Sequence, residues 1–191
     1  EHVSPYQLTI EPTTAFGRAF ARGTLVPPDE DLAADLYEAT QTVLEARGFD
    51  AYEVSNHARG DAARSAHNLH VWRSGDYVGL GPGAHGRLTL EGVRTATVAR
   101  RGVADYGAGV AAGRPWSETQ RLSPLEADEE RLLLGLRTTE GVSVDLITRM
   151  DLGARVRNLQ EGGQLAVMDG RVAASPEGRP VLDALLRVLL T

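Results

Sequence analysis

A strand–helix–strand pattern in the first 54 residues constrains the fold most. His2 to Ile10 (HVSPYQLTI) alternates loosely and is rich in β-branched and aromatic residues, which predicts a strand ended by Glu11-Pro12. Asp29-Glu30-Asp31 then opens a helix, because acids suit the positive N-terminal end of the helix dipole. Leu32, Leu36, Ala39, Val43 and Leu44 mark its apolar stripe, and Gly48 stops it. Ala51 to Val54 is a second short strand. Strand, helix and strand with short joints favour a parallel sheet or barrel.

The pattern changes downstream. Ser55 to Ser74 is polar and turn-rich, and Tyr77 to Leu80 is a strand candidate leading into Gly81-Pro-Gly-Ala-His-Gly86. Arg87 to Val98 alternates like a hairpin around Glu91-Gly92, and Tyr106 to Pro115 reads as a helix end followed by a linker. From Leu122 the signals are helical. Ser123-Pro124 with Glu126 starts one helix, Ser143 to Met150 is a second, and Arg155 to Glu161 is a third, stopped by Gly162-Gly163. Asp169-Gly170 between Leu165–Met168 and Arg171–Ala174 marks a hairpin with a two-residue turn, and Pro176 to Leu190 is a closing amphipathic helix. Three helices, a hairpin wing and a closing helix predict a small winged-helix-like α+β domain.

Composition then limits the chemistry. The chain has 191 residues and no cysteine, so it supplies no disulfide, no thiol nucleophile and no ligand to a cysteine-bound iron–sulfur cluster. The lack of disulfides fits a reducing compartment. All 20 basic residues are arginine, which excludes Schiff-base lysine chemistry and a P-loop lysine. Net charge is −6, and residues 121–191 carry 9 Arg against 11 acids, which argues against a nucleic-acid-binding winged helix. No apolar run approaches the roughly 20 residues of a membrane span, and no secretory signal opens the chain.

All five histidines lie within the first 85 residues, so any chemistry is expected there. Four segments stand out. Gly81-Pro-Gly-Ala-His-Gly86 matches G-x-G-x-x-G literally, but Arg87-Leu-Thr-Leu reads as a strand where a dinucleotide fingerprint needs a helix. Its small residues still allow close backbone approach to a ligand, or form only a tight turn. In His67-Asn-Leu-His70 two imidazoles spaced by three can face one way on a helical turn, with Trp72 as a flat apolar wall; the alternative is a hydrogen-bonded polar loop. Ser55 and Asn56 stand at a strand end, as ligand contacts or as turn caps. Gln7, Thr9 and Glu11 share one face of the first strand, which suggests a lumen or pocket, or else an exposed edge.

Taken in order, Tyr6-Gln-Leu-Thr-Ile-Glu-Pro12, Tyr52-Glu-Val-Ser-Asn56, His67-Asn-Leu-His-Val-Trp72 and Gly75-Asp-Tyr-Val-Gly-Leu-Gly-Pro-Gly-Ala-His85 resemble the oxygen-independent coproporphyrinogen III oxidase-like radical SAM family, and within it the heme chaperones. The resemblance covers nearly the whole chain. It implies an α/β fold: residues 1–117 as the C-terminal part of an incomplete (β/α) radical SAM barrel with its extension, and 118–191 as the family's winged-helix-like domain. It implies S-adenosylmethionine contacts at Gln7, Gly81, Gly83, Ala84 and His85. The family's H-N-x-x-Y-W heme motif falls on His67, Asn68 and Trp72, with Val71 where the motif has Tyr. His67 is then the expected axial ligand of heme iron, and His70 a second candidate from spacing.

The family's Cys-x-x-x-Cys-x-x-Cys has no counterpart here, so the 4Fe-4S cluster is expected in a missing N-terminal half, and this chain alone should not cleave S-adenosylmethionine. The expected function is that of the C-terminal half of a cytoplasmic heme chaperone that binds heme and delivers it to acceptor proteins. Expected partners are heme or porphyrin and those acceptors, with no nucleic acid, no integral membrane segment and room for peripheral membrane association. The alternative is a coproporphyrinogen III oxidase.

Overall fold

A computed structural model describes residues 1–191, which divide into two compact units, Glu1–Arg64 and Ser65–Thr191. The first begins with β1 (His2–Val3) and α1 (Ala15–Ala21). Thr14 caps α1 by accepting the Gly17 N–H, and a Cβ at Gly17 would collide with the Glu11 carbonyl, so the helix can pack this closely only on glycine. The long helix α2 (Glu30–Glu45) starts where its sequence signals placed it, with the Asp29 carboxylate accepting the Leu32 N–H at 2.9 Å. Gly48, at φ 73°, turns the chain into β2 (Asp50–Glu53), which folds back as β3 (Asn56–Ala58).

The sheet is antiparallel, in the order β1-β3-β2, rather than the parallel sheet expected from the repeat. The strand expected over His2–Ile10 shrinks to two residues. Its central partner β3 is three residues long, so the ladder ends at Val3 opposite His57, and Pro5 then has no N–H to donate. The apolar stripe of α2 forms but buries no residue; Leu32, Leu36 and Val43 each stay about half exposed (49%, 50% and 48%). The unit is centred instead on Tyr52, Glu53, Asn56 and His57, all buried.

The second unit opens with α3 (Ala66–Trp72). A three-stranded antiparallel meander follows: β4 (His85–Leu90), β5 (Val93–Ala99) and, after α4 (Val103–Ala111), β6 (Trp116–Arg121). The β4–β5 hairpin turns on Glu91-Gly92, both at positive φ (52° and 77°), as a two-residue primed turn requires. Tyr77–Leu80 contributes a single bridge, Tyr77 to Arg87, not a strand. The segment around Trp116 is a strand paired to β5, so the expected boundary at 117/118 falls inside β6.

The helices and hairpin of the rest of the unit come in the order read from sequence, with one short strand added and the closing helix starting later than Pro176: α5 (Pro124–Gly135), the added β7 (Val142–Ser143), α6 (Val144–Arg149), α7 (Gly153–Glu161), the hairpin β8 (Leu165–Met168) and β9 (Arg171–Ala174), and α8 (Leu182–Leu190). Ser123 and Glu126 form a reciprocal capping box at the start of α5. Asp169-Gly170 makes the second positive-φ hairpin turn (51° and 72°). Leu182, Leu185, Leu186 and Leu189 bury one face of α8 with Leu132, Leu136, Leu146, Ile147, Val156, Leu165 and Val172 in the core. Each such side chain contributes about 1.5–3 kcal/mol on burial.

Candidate functional site

The expected heme-motif residues sit on α3. The Ser65 hydroxyl caps it by accepting the Asn68 N–H at 3.2 Å. His67, on the first turn, is exposed and makes no hydrogen bond, so its ring nitrogens are open to an external ligand. Asn68 and Trp72 are half-buried. Five residues at 3.6 per turn place Trp72 about 140° around the helix from His67, whereas Asn68 and Trp72, four apart, share a face. Val71, also four from His67, stands on the histidine's side of the helix. The motif therefore does not converge on one point: the imidazole and the indole look out from different faces of α3.

His70 has another role. Its Nε2 donates to the Asp76 carbonyl at 2.7 Å, and its ring lies so close to Gly75 that a Cβ there would overlap it. It fastens the chain leaving α3 to its last turn, which removes the reading of His70 as a second axial ligand through that nitrogen.

The Gly81–His85 segment is a turn that enters β4, so the dinucleotide reading fails for the reason foreseen. Gly81 and Gly83 adopt φ 109° and 72°, conformations that favour glycine. The backbone N–H groups are already used: Gly81 donates to the Tyr106 hydroxyl (3.1 Å), Gly83 to the Arg100 carbonyl (2.9 Å) and Ala84 to the Gly81 carbonyl (3.2 Å). The segment therefore offers a ligand close approach beside Gly81, where nothing lies within 4 Å of a would-be Cβ, and no cradle of free N–H groups. Gly86 is explained by packing, since a Cβ would come within 2.6 Å of Thr97 Oγ1. His85 is exposed at the start of β4.

Gln7 belongs to the first unit, the Gly81–His85 segment to the second. Gln7 lines a cavity of about 470 Å³ with Tyr6, Leu36, Tyr37, Gln41 and Ser55, and its Nε2 donates to the Ala33 carbonyl at 3.0 Å. Thr9 and Glu11 are not set beside it on a strand face, because no strand forms over them. Asn56 is committed internally, donating to the buried Glu53 carboxylate and accepting from the Ser4 hydroxyl. The Ser55 N–H also reaches Glu53, at 3.3 Å, so these two residues act as the turn caps of the alternative reading, while Ser55 also faces the cavity.

In the second unit a cleft of about 350 Å³ is lined by Trp72, Arg73, Arg131, Glu140, Arg149 and Arg171. The arginines come from four different elements or their ends, so nothing in their sequence spacing marks them. Arg149 and Arg131 both bond Asp128, and the Arg149 hydrogen bond, set against the cost of burial and aided by Arg131, holds the Asp128 carboxyl below its usual range. Glu140 raises Arg73 in the same way. No group of three or more His, Cys, Asp or Glu is placed to hold a metal ion within the chain itself.

Radical S-adenosyl methionine domain-containing protein 1, mitochondrial, of Mus musculus is 38% identical to the chain over 205 residues, spanning all of this chain and 46% of that protein. Heme chaperone HemW of Bacillus subtilis is 39% identical over 144 residues, covering 75% of this chain and 37% of that one. HemW of Mycobacterium tuberculosis is 35% identical over 195 residues, covering the whole chain and 47% of the relative. The chain belongs to the radical SAM family that includes these proteins. It spans just under half the length of the family relatives that it matches end to end. The fold agrees: the solved coproporphyrinogen III oxidase HemN of Escherichia coli, a radical SAM enzyme, superposes with a TM-score of 0.69 at 15% identity, over all of this chain and 48% of that structure. No family model matches. No helix is long and apolar enough to cross a membrane.

Proposed function

We propose that this chain is the heme-binding C-terminal half of a radical SAM heme chaperone. Identities of 35–39% to proteins named heme chaperone HemW carry the reading. On it, the chain through β6 ends a partial barrel and its extension, and the helices and hairpin after β6 form the winged-helix-like domain. His67 is the axial ligand of heme iron. Its exposed, unbonded imidazole fits that role, since heme iron accepts a histidine nitrogen. Trp72, on a different face of α3, offers apolar surface to a porphyrin apart from that ligand.

Gly81, Gly83, Ala84 and His85 of the second unit are proposed as S-adenosylmethionine contacts, and Gln7 of the first unit as another. With the loop's N–H groups engaged, recognition there rests on side chains and on close approach at Gly81. The 4Fe-4S cluster does not fit these residues, because the sequence has no cysteine, and the cluster would be held elsewhere in the whole protein. Bound together, cluster and S-adenosylmethionine supply radical chemistry; this chain's residues bind and orient. Delivery of heme to acceptor proteins in the cytoplasm, with peripheral contact to a membrane surface, completes the proposal.

The fold match to HemN favours a second reading, oxidative decarboxylation of coproporphyrinogen III. The full-length protein decides between them. The chaperone reading expects stoichiometric hemin binding and no vinyl product from coproporphyrinogen; turnover of coproporphyrinogen would replace it with the oxidase.

A further inference from the structure

We propose that the cleft beside Trp72 is a carboxylate-binding subsite that holds the propionate-bearing edge of a porphyrin, with Arg149 and Arg171 as its principal cations. The proposal rests on the heme-handling reading and assigns a separate porphyrin-binding place, on a different face of α3 from His67.

The charge balance of the cleft supports this. Four guanidinium groups, Arg73, Arg131, Arg149 and Arg171, line it. Only two carboxylates pair with them directly. Glu140 takes Arg73, with Nε to Oε2 at 2.9 Å, and Asp128 is shared by Arg131 at 2.7 Å and Arg149 at 2.9 Å. Asp145 acts on Arg149 at longer range. Positive charge stays in excess, in a chain whose overall charge is −6. Arg171 has no carboxylate at all. Its Nε and Nη2 are tied to the Glu140 and Gly141 carbonyls at 2.6 and 2.7 Å, which fixes the guanidinium plane while leaving its charge unneutralised. A cation fixed by backbone and lacking a counter-ion is pre-oriented to receive an external carboxylate, and the planar fork of arginine suits that partner.

Trp72 sets the ligand class. It lies on the wall of the same cleft, so an anion bound there meets an indole as well as guanidinium groups. A small inorganic anion gains nothing from an aromatic wall; a flat aromatic molecule with carboxylate arms uses both. At about 350 Å³, open on one side, the cleft takes one edge of a macrocycle and leaves the remainder outside.

The test uses ligands with and without iron. The whole chain is titrated with hemin, with metal-free protoporphyrin IX and with protoporphyrin IX dimethyl ester, following the porphyrin absorbance band. The expected result is that the free acid binds and the dimethyl ester binds about tenfold or more weaker, with Arg149→Gln and Arg171→Gln each weakening hemin and the free acid to a similar degree. His67→Ala should change the hemin spectrum and leave metal-free binding unmoved. Melting temperatures of the variants near that of the unaltered chain separate a lost contact from a lost fold; a variant that does not fold is replaced by Trp72→Leu, expected to weaken all three ligands. Equal binding of acid and ester, or hemin affinity indifferent to both arginines, overturns the subsite while leaving heme binding through His67 intact. Failure of all three ligands overturns the heme reading and the subsite together.

Discussion

Arg94 and Glu130 join the β-meander to the helical half of the second unit, Nε to Oε1 at 3.2 Å, through an arginine that is only 8% exposed. The same guanidinium donates to Asp76 at 2.8 Å, and Arg87 brings a second donor to Glu130 at 2.6 Å. One buried cation thus ties the loop after α3, strand β5 and helix α5. Removing Arg94 leaves Glu130 with Arg87 alone and takes from Asp76 its charged partner. Arg94→Met should cost about 2–3 kcal/mol, below the figure for a fully buried pair because Glu130 keeps some solvent. Chemical denaturation measures it, and an unchanged midpoint would show that the tie contributes nothing.

Acid should weaken the second unit by a traceable route. Asp128 titrates below its usual range, chiefly through the Arg149 hydrogen bond, and Asp76 is also lowered, Thr89 and Arg94 outweighing burial. A carboxyl with a depressed folded pKa adds stability above its unfolded value of about 3.9, and loses it as pH falls through the folded value. Stability measured from pH 7 downward should therefore be flat until about pH 4–5 and then fall. Asp128→Asn should be less stable at pH 7 and show a shallower acid slope. An identical slope in the variant would remove Asp128 from the account.

Two glycines at similar φ should respond differently to substitution. Gly141 (φ 64°) has no room, since a Cβ would run into the Val172 carbonyl of β9, whereas Gly92 (φ 77°) is open. Gly92→Ala should cost about 1 kcal/mol from backbone strain alone, and Gly141→Ala clearly more. Equal losses in thermal melts would mean that the contact with β9 relaxes freely.

His67 and His70 should separate cleanly. His70→Ala breaks the bond to the Asp76 carbonyl and should lower stability by about 1 kcal/mol while leaving hemin binding in place. His67→Ala, at an exposed position without partners, should leave the melting temperature within about 1 °C, its effect being within surface-substitution range. A reversed pattern would exchange their roles.

Locally encoded features were legible in the sequence. The Ser123–Glu126 capping box, the Asp29 cap and the Glu91-Gly92 and Asp169-Gly170 turns each depend on neighbours in the chain, and each formed where the residues placed it. Pairing depends on distant residues and was less legible. Nothing in His2–Ile10 reveals that its partner β3 is three residues long, and the polar, exposed β6 (WSETQR) lacks the alternation that marks a half-buried strand. The site divides the same way. The motif singled out His67, Asn68 and Trp72, but that they share one short helix, that His70 closes a loop, that Gly81–Ala84 spends its N–H groups internally, and that Arg73, Arg131, Arg149 and Arg171 share a cleft are properties of the fold.

The central claim is that this chain binds heme through His67. A hemin titration of the chain and of His67→Ala, followed in the Soret region, tests it most directly. The account predicts a saturable, one-to-one Soret shift in the unaltered chain that is weakened and moved in the variant. An identical shift in both, or none in either, would contradict it.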